Sequence, residues 1–346
     1  MKILTTSENL SFYKKYLQIE ELVQEFLKKK GYLKIDLPVL SSSLIPESYL
    51  EVFETEFKYL DSREKLYLTP SPELFLKRLL VKGVGDCYYL GKSFRNSDPP
   101  SSLHSFEFTM LEFYKMGANY MDIADEVLEM LRNINEKLKT QNQNLKTKTK
   151  NLKLIKTEEK KLKINLDKWE KISVAEAFEK YAGIFKKELF NHQLFLKKAQ
   201  KKGYQTNNFS YEDVWSQIYV AEIEPHLGRH GYPTLIYDYP KEFAALAKLN
   251  ADEKTAQRFE FYINGIELGD CYTELTDYKE QAKRFKEEAL KRETTKKNRH
   301  SIDKGFIEAL KYGLPDCAGI AIGFERLVMI FVGADAIEKL KLIRIE

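Results

Sequence analysis

The sequence predicts an α+β domain built around an antiparallel sheet flanked by helices. Three observations carry this. Helix-spaced and strand-spaced apolar patterns are mixed without regular βαβ alternation. Asn264-Gly265 sits between two strand-like runs and marks a tight hairpin. Residues 106–115 alternate, so that Phe108, Met110, Glu112 and Tyr114 share one strand face.

The elements follow in order. Phe12, Tyr16, Ile19, Val23 and Phe26 recur at helical spacing, and Lys28-Lys29-Lys30 then Gly31 close that helix. Residues 32–37 read as a strand running into Pro38, 73–82 as a short helix and 87–91 as a strand. A helix is expected over about 119–137, and residues 174–203 read as mostly helical. Strands are expected at 234–238, on both sides of Asn264-Gly265, and at 318–322. Helices are expected over 277–293 and after Gly323. Within 138–168, Leu152–Ile155 and Leu162–Ile164 flank Glu158-Glu159-Lys160-Lys161, which predicts a Lys-rich β-hairpin excursion. There is no internal repeat.

The chain has 346 residues, 43% hydrophobic and 31% charged, with 21 Phe and 21 Tyr, a load of aromatic surface that requires a core. No apolar run approaches the ~20 residues that span a bilayer, and the first residues lack the apolar stretch of a signal peptide. Three cysteines without a CxxC pair argue against a disulfide framework, so a cytoplasmic protein without membrane attachment is expected. The net charge is only +4, but residues 137–163 hold ten Lys against two Glu. That excess reads as a solvated excursion or as a surface for an anionic partner.

Two motifs are decoys. Gly85 to Ser93 ends like a phosphate loop, but its first Gly comes one residue too early and its interior is strand-like. His226 and His230 stand four apart without a glutamate between them or a third ligand. The 258–271 hairpin carries more. With a two-residue turn, Glu260 is expected opposite Gly269 and diagonal to Glu267, within reach of a common cation.

Three ordered segments then carry a resemblance. Gly31 to Pro38 after the first helix, Ser93-Phe94-Arg95-Asn96 with His104 to Tyr114, and Gly319 to Leu327 resemble motifs 1, 2 and 3 of class II aminoacyl-tRNA synthetases. Thr69 to Arg78 and Gly265 to Asp277 narrow this to the lysyl branch, in particular the truncated paralogues that modify elongation factor P. The likeness runs from about residue 12 to the end. It implies the class II fold as one catalytic domain over 1–346, with no anticodon-binding OB-fold, and a symmetric homodimer.

The resemblance further implies that a substrate carboxylate attacks the α-phosphorus of ATP, pyrophosphate leaves, and an acceptor attacks the resulting anhydride. Arg95 and Arg326 then correspond to the catalytic arginines, on the α-phosphate and carboxylate and on the γ-phosphate. Asn96, Phe108, Leu268 and Gly323 join them in binding ATP, with Phe108 under the adenine. Glu260 and Glu267 match the Mg²⁺ ligands. Ser71, Glu73, Glu112, Tyr114, Asp270, Tyr272, Glu274 and Ala321 fall on the amino-acid site. Glu73 and Glu112 take one ammonium of lysine or (R)-β-lysine, and Glu274 with Tyr114 takes the distal one. Contacts of ~1.5–3 kcal/mol each would select a diamino acid.

Three departures qualify the match. The loop from Ser97 to Phe106 differs from relatives, with Ser97-Asp98 after Asn96 and Leu103 before His104. Asp270 stands where relatives have Asn, and an ionised Asp would repel the substrate carboxylate unless turned away or neutralised. Asp270→Asn is therefore expected to improve activation. Ala321 replaces a Gly and favours the β-lysine branch by ~1–3 kcal/mol. For Glu267 and the set Asp270, Tyr272, Glu274 to line one pocket, the strand must bulge near Gly269. The implied activity is transfer of lysine or β-lysine to elongation factor P. A minimal lysyl-tRNA synthetase charging tRNA, and a weakened paralogue with a binding role, stay open.

Overall fold

The computed structural model describes residues 2–96, 100–148, 164–294 and 303–345. Among them the main sheet has eight strands: β1 (Leu33–Lys34), β2 (Cys87–Phe94), β3 (Glu107–Met116), β4 (Glu170–Ser173), β5 (Thr234–Pro240), β6 (Thr255–Ile263), β7 (Ile266–Thr273) and β8 (Cys317–Gly323). Their spatial order is β1-β2-β3-β8-β7-β6-β5-β4. The six central strands pair antiparallel, as expected, but β1 on β2 and β4 on β5 are parallel at the two edges. The strand expected over 32–37 shortens to its first part.

Helix α1 (Leu10–Lys29) buries Ile19, Val23 and Phe26 in the core, and Phe12 and Tyr16 pack at its margin. It lies against α3 (Tyr120–Lys148) and α5 (Phe324–Val332), which cover the same sheet face and bury Ile123, Val127, Leu131, Leu327 and Val328. The opposite face of the sheet carries the cavity, walled by α2 (Glu73–Val81). Helix α4 (Tyr278–Thr294) packs beyond it, with Phe285 in the same apolar cluster as Leu76 and Leu80. A second core under 174–227 packs Phe178, Phe195, Trp215 and Ile218. The helix expected over 174–203 is broken into Val174–Ala177, Lys186–Leu189 and His192–Lys201.

The Lys-rich excursion needs correction. Residues 138–148 continue α3 as helix rather than opening a hairpin, because the backbone of α3 runs on past its apolar face. The expected strands at 152–155 and 162–163 lie outside the described residues. A hairpin over 54–68, formed by Glu54–Tyr59 and Ser62–Leu68, is an element the sequence does not predict, and most of it is exposed.

The hairpin of β6 and β7 carries the predicted irregularity, one residue from Gly269. Tyr262 pairs with Glu267 and Phe261 with Gly269, so Leu268 is the extra residue. The side-chain sequence on the cavity face becomes Glu267, Asp270, Tyr272, a step of three followed by a step of two. A regular ladder steps only by two, so the bulge alone brings Glu267 round to join the others. It also moves Glu260 opposite Asp270, not opposite Gly269 as the unbulged register would have it.

Gly269 makes this close packing possible. A Cβ there would sit 2.6 Å from the Ala321 carbonyl and 2.8 Å from the Phe261 ring. Gly269→Ala is expected to destabilise the fold by ~1–3 kcal/mol through overpacking against backbone. Urea unfolding checks this, and an unchanged midpoint would show that β7 and β8 can move apart freely.

Candidate active site

The cavity encloses roughly 190 Å³ between the sheet, α2, the loop around residues 47–50, the loop at 103–105 and a strap at 243–247. Its lining includes Ser71, Glu73, Arg95, Phe108, Glu112, Tyr114, Glu267, Leu268, Asp270, Tyr272, Ala321, Gly323 and Arg326, which five separate segments of sequence supply. Three expected site residues lie off it. Asn96 turns to the neighbouring loop, its backbone N–H bonded to the Glu51 carbonyl at 2.9 Å. Glu260 sits just behind the lining. Glu274 is fully buried beneath the floor.

At one end the walls are cationic. Arg95 follows β2 and lies over the Phe108 ring, 5.3 Å from its centroid. Among the described residues its buried Nε has no hydrogen-bond partner. Arg326 stands in the first turn of α5, whose N-terminal amides aim at the same space. Its guanidinium is oriented from three directions. Nε donates to the Leu103 carbonyl (3.1 Å), Nη1 to the Glu267 carbonyl (3.0 Å) and Nη2 to His104 Nε2 (2.8 Å). The unusual loop thus orients Arg326 through Leu103, one of its departures, and through His104 of the motif 2 segment.

At the other end the walls are acidic. Glu112 accepts hydrogen bonds from the Ser71 hydroxyl at 2.9 Å and the Tyr114 hydroxyl at 2.8 Å. Burial and then the nearby Glu73 carboxylate hold its pKa up to about 8. Glu73 accepts from the Tyr272 hydroxyl at 2.7 Å. The sheet register explains the floor. Ala321 pairs with Glu112 on one side and Asp270 on the other, so its methyl separates the two acids. Gly319 leaves room for the Tyr114 ring, which a Cβ would meet at 2.4 Å.

Glu274 is a correction. Its carboxylate pairs with Lys77, whose side chain is 2% exposed and which also pairs with Glu73 one helical turn back. Lys77 lies 5.3 Å from the Tyr272 ring centroid. The deepest expected ammonium partner therefore holds the chain's own ammonium. Sequence reading passed over Lys77 although its i,i+4 spacing from Glu73 was visible.

Asp270 is the second correction. Arg258 Nε donates to it at 2.9 Å, so its charge is partly offset in place by a cation that it shares with Glu260. A gain from Asp270→Asn then depends on how far that shared cation screens the acid. Arg258 was also missed, although it shares a strand face with Glu260 two residues on.

Glu260 and Glu267 do lie on the same side of the hairpin. Glu260 Oε1 accepts from Arg258 at 3.0 Å, and its Oε2 accepts from Tyr262 (2.9 Å) and Tyr219 (3.3 Å). Burial, followed by the Glu267 charge, raises its pKa. Among the described residues no cluster of three or more His, Cys, Asp or Glu forms a protein-only metal cage.

Residues 2–342 match the family model of class II tRNA synthetases of the D, K and N type. The chain therefore belongs to the class II aminoacyl-tRNA synthetase family. Among curated proteins it is similar to an elongation factor P–(R)-β-lysine ligase of Yersinia enterocolitica, 33% identical over 90% of this chain and 88% of that one. Ligases of the same name from Hamiltonella defensa (32% identical; 94% and 92% covered) and Buchnera aphidicola (33%; 92% and 90%) are similarly related.

Glu112 makes the stability of the fold pH-sensitive. Its folded pKa of about 8 exceeds the ordinary 4.5, so the folded state holds the extra proton between those values. Stability then falls as pH rises through that window. Glu112→Gln is expected to gain melting temperature over wild type as pH goes from 5.5 to 8.5, on the order of a few degrees. Thermal unfolding at both pH values tests this, and a pH-independent difference would refute it.

Proposed function

We propose that the chain is an ATP-dependent ligase that activates lysine or (R)-β-lysine as the adenylate and transfers it to a lysine of elongation factor P. The polarity of the cavity carries this reading. Arg95 and Arg326 converge at one end, and Glu73 and Glu112 at the other, with Asp270 balanced by Arg258 between them. Such a layout suits a molecule with a carboxylate to be joined to a phosphate and ammonium groups at its far end. The relatives are named elongation factor P–(R)-β-lysine ligases, and the chain covers about nine-tenths of each.

In this reading Arg95 takes the substrate carboxylate and the α-phosphate and stabilises the negative charge that gathers between them. Phe108 offers the face on which adenine stacks. Arg326 binds the outer phosphate. Ser71, Glu73, Glu112 and Tyr114 orient the amino acid, and Tyr272 holds Glu73 in place. Glu274 acts through Lys77.

Glu260 and Glu267 fit a divalent cation that completes its shell with phosphate oxygens and water, because their mutual repulsion is relieved by such a charge. Magnesium there would neutralise the phosphates. A cytoplasmic setting suits three buried free thiols, Cys87, Cys271 and Cys317; no helix among the described residues is long and apolar enough to cross a membrane. We place a homodimer contact on the segment bearing the exposed Leu17, Leu33 and Leu40, with light scattering as its check.

The decisive assay is ATP–pyrophosphate exchange with each diamino acid, followed by transfer to elongation factor P or to tRNA. Exchange with lysine or β-lysine and labelling of elongation factor P are expected. Labelling of tRNA alone would make the chain a minimal lysyl-tRNA synthetase, and no exchange would make it a binding paralogue. Arg95→Ala should lower the exchange rate by ~10²–10³-fold, whereas Arg326→Ala should chiefly raise the KM for ATP.

A further inference from the structure

One guanidinium stands between the two halves of the site. Arg258 Nε donates to Asp270, which faces the cavity, and Nη2 donates to Glu260, on the cation side. Its Nη1 is tied to the Phe243 carbonyl at 2.8 Å, and the Tyr239 ring lies 4.6 Å away. Asp270 and Glu260 are directly opposed across β6 and β7, an arrangement that like charges disfavour unless a cation is shared between them. The guanidinium makes one bond to each.

We propose that Arg258 is a positioning residue that couples nucleotide binding to amino-acid binding. A divalent cation carried in with the nucleotide competes with Arg258 for Glu260. The guanidinium then gives up Glu260 and closes on Asp270, cancelling the charge that would repel the carboxylate of the incoming amino acid. Two features of the site permit this exchange. Glu260 keeps the Tyr262 and Tyr219 hydroxyls on its other oxygen, so it is not left without donors. Arg258 keeps the Phe243 carbonyl on Nη1 and the Tyr239 ring against its face, so the planar guanidinium turns about Nη1 as Nη2 leaves Glu260. The inference rests on the reading above for where the two ligands lie.

The test uses the full chain and calorimetric or spin-resonance titration with Mn²⁺ and α,β-methylene-ATP, without amino acid. Asp270→Asn leaves Arg258 with Glu260 as its only carboxylate, so binding of the Mn²⁺–nucleotide complex should weaken about fivefold to tenfold. Glu47→Gln changes an acid of the same cavity that is not one of the two carboxylates bridged by Arg258, and should weaken it less than about twofold. Equal affinity in wild type and Asp270→Asn, or an equal loss in Glu47→Gln, would overturn the proposal. In a second arm the nucleotide complex should tighten binding of lysine or β-lysine about tenfold in wild type and less than about twofold in Asp270→Asn. Undiminished coupling in Asp270→Asn would also overturn it. Should neither diamino acid bind the wild type, the reading of the substrate fails while the first arm still decides the role of Arg258.

Discussion

One inserted residue governs the site. Leu268 breaks the two-residue period of β7, and everything the cavity presents from that strand depends on it. Without the insertion, Glu267 would share a face with Leu268's neighbours in the core, and the cation-side carboxylates would be separated from Asp270 and Tyr272. With it, Leu268 and Cys271 stay in the apolar core while Glu267, Asp270 and Tyr272 turn together to the cavity. The close approach of β7 to β8 that follows is possible because position 269 has no side chain.

Gathering so many carboxylates in one buried place raises an electrostatic difficulty, and the fold meets it with two internal cations. Lys77 lies between Glu73 and Glu274, and Arg258 between Glu260 and Asp270. Each cation serves two acids, so both pairs remain short of positive charge. Burying an unpaired charge is costly, and the raised pKa of Glu112 registers that cost. Ligands that bring ammonium groups or a divalent cation relieve it. The same shortage of positive charge therefore selects for cationic ligands.

The second core, under residues 174–227, contributes to the site at one point. A wider helical turn at Tyr219–Ile223 directs the Tyr219 hydroxyl to the Tyr239 hydroxyl (2.8 Å) and to Glu260. Wider turns of this kind commonly aim a side chain at a functional position. Here it ties a helical layer remote in sequence to the nucleotide half of the cavity.

Much was legible in the sequence because it was local. The strand face of Phe108, Glu112 and Tyr114 follows from alternation, and the helix after Gly323 that carries Arg326 follows from periodicity. Even the bulge could be inferred, since acids of both parities had to meet in one pocket. The α+β class, the antiparallel centre and the family were determined by the chain's own pattern. What only the tertiary structure decided was which charges face each other. Asp270 read as a repulsive acid until Arg258 lay beside it, Glu274 as a ligand until Lys77 reached it, and Leu103 as a loss until its carbonyl oriented Arg326. Pairing between charges depends on distances of a few ångströms across segments far apart in the chain. Sequence periodicity fixes the face on which a charge stands, but only packing fixes its partner.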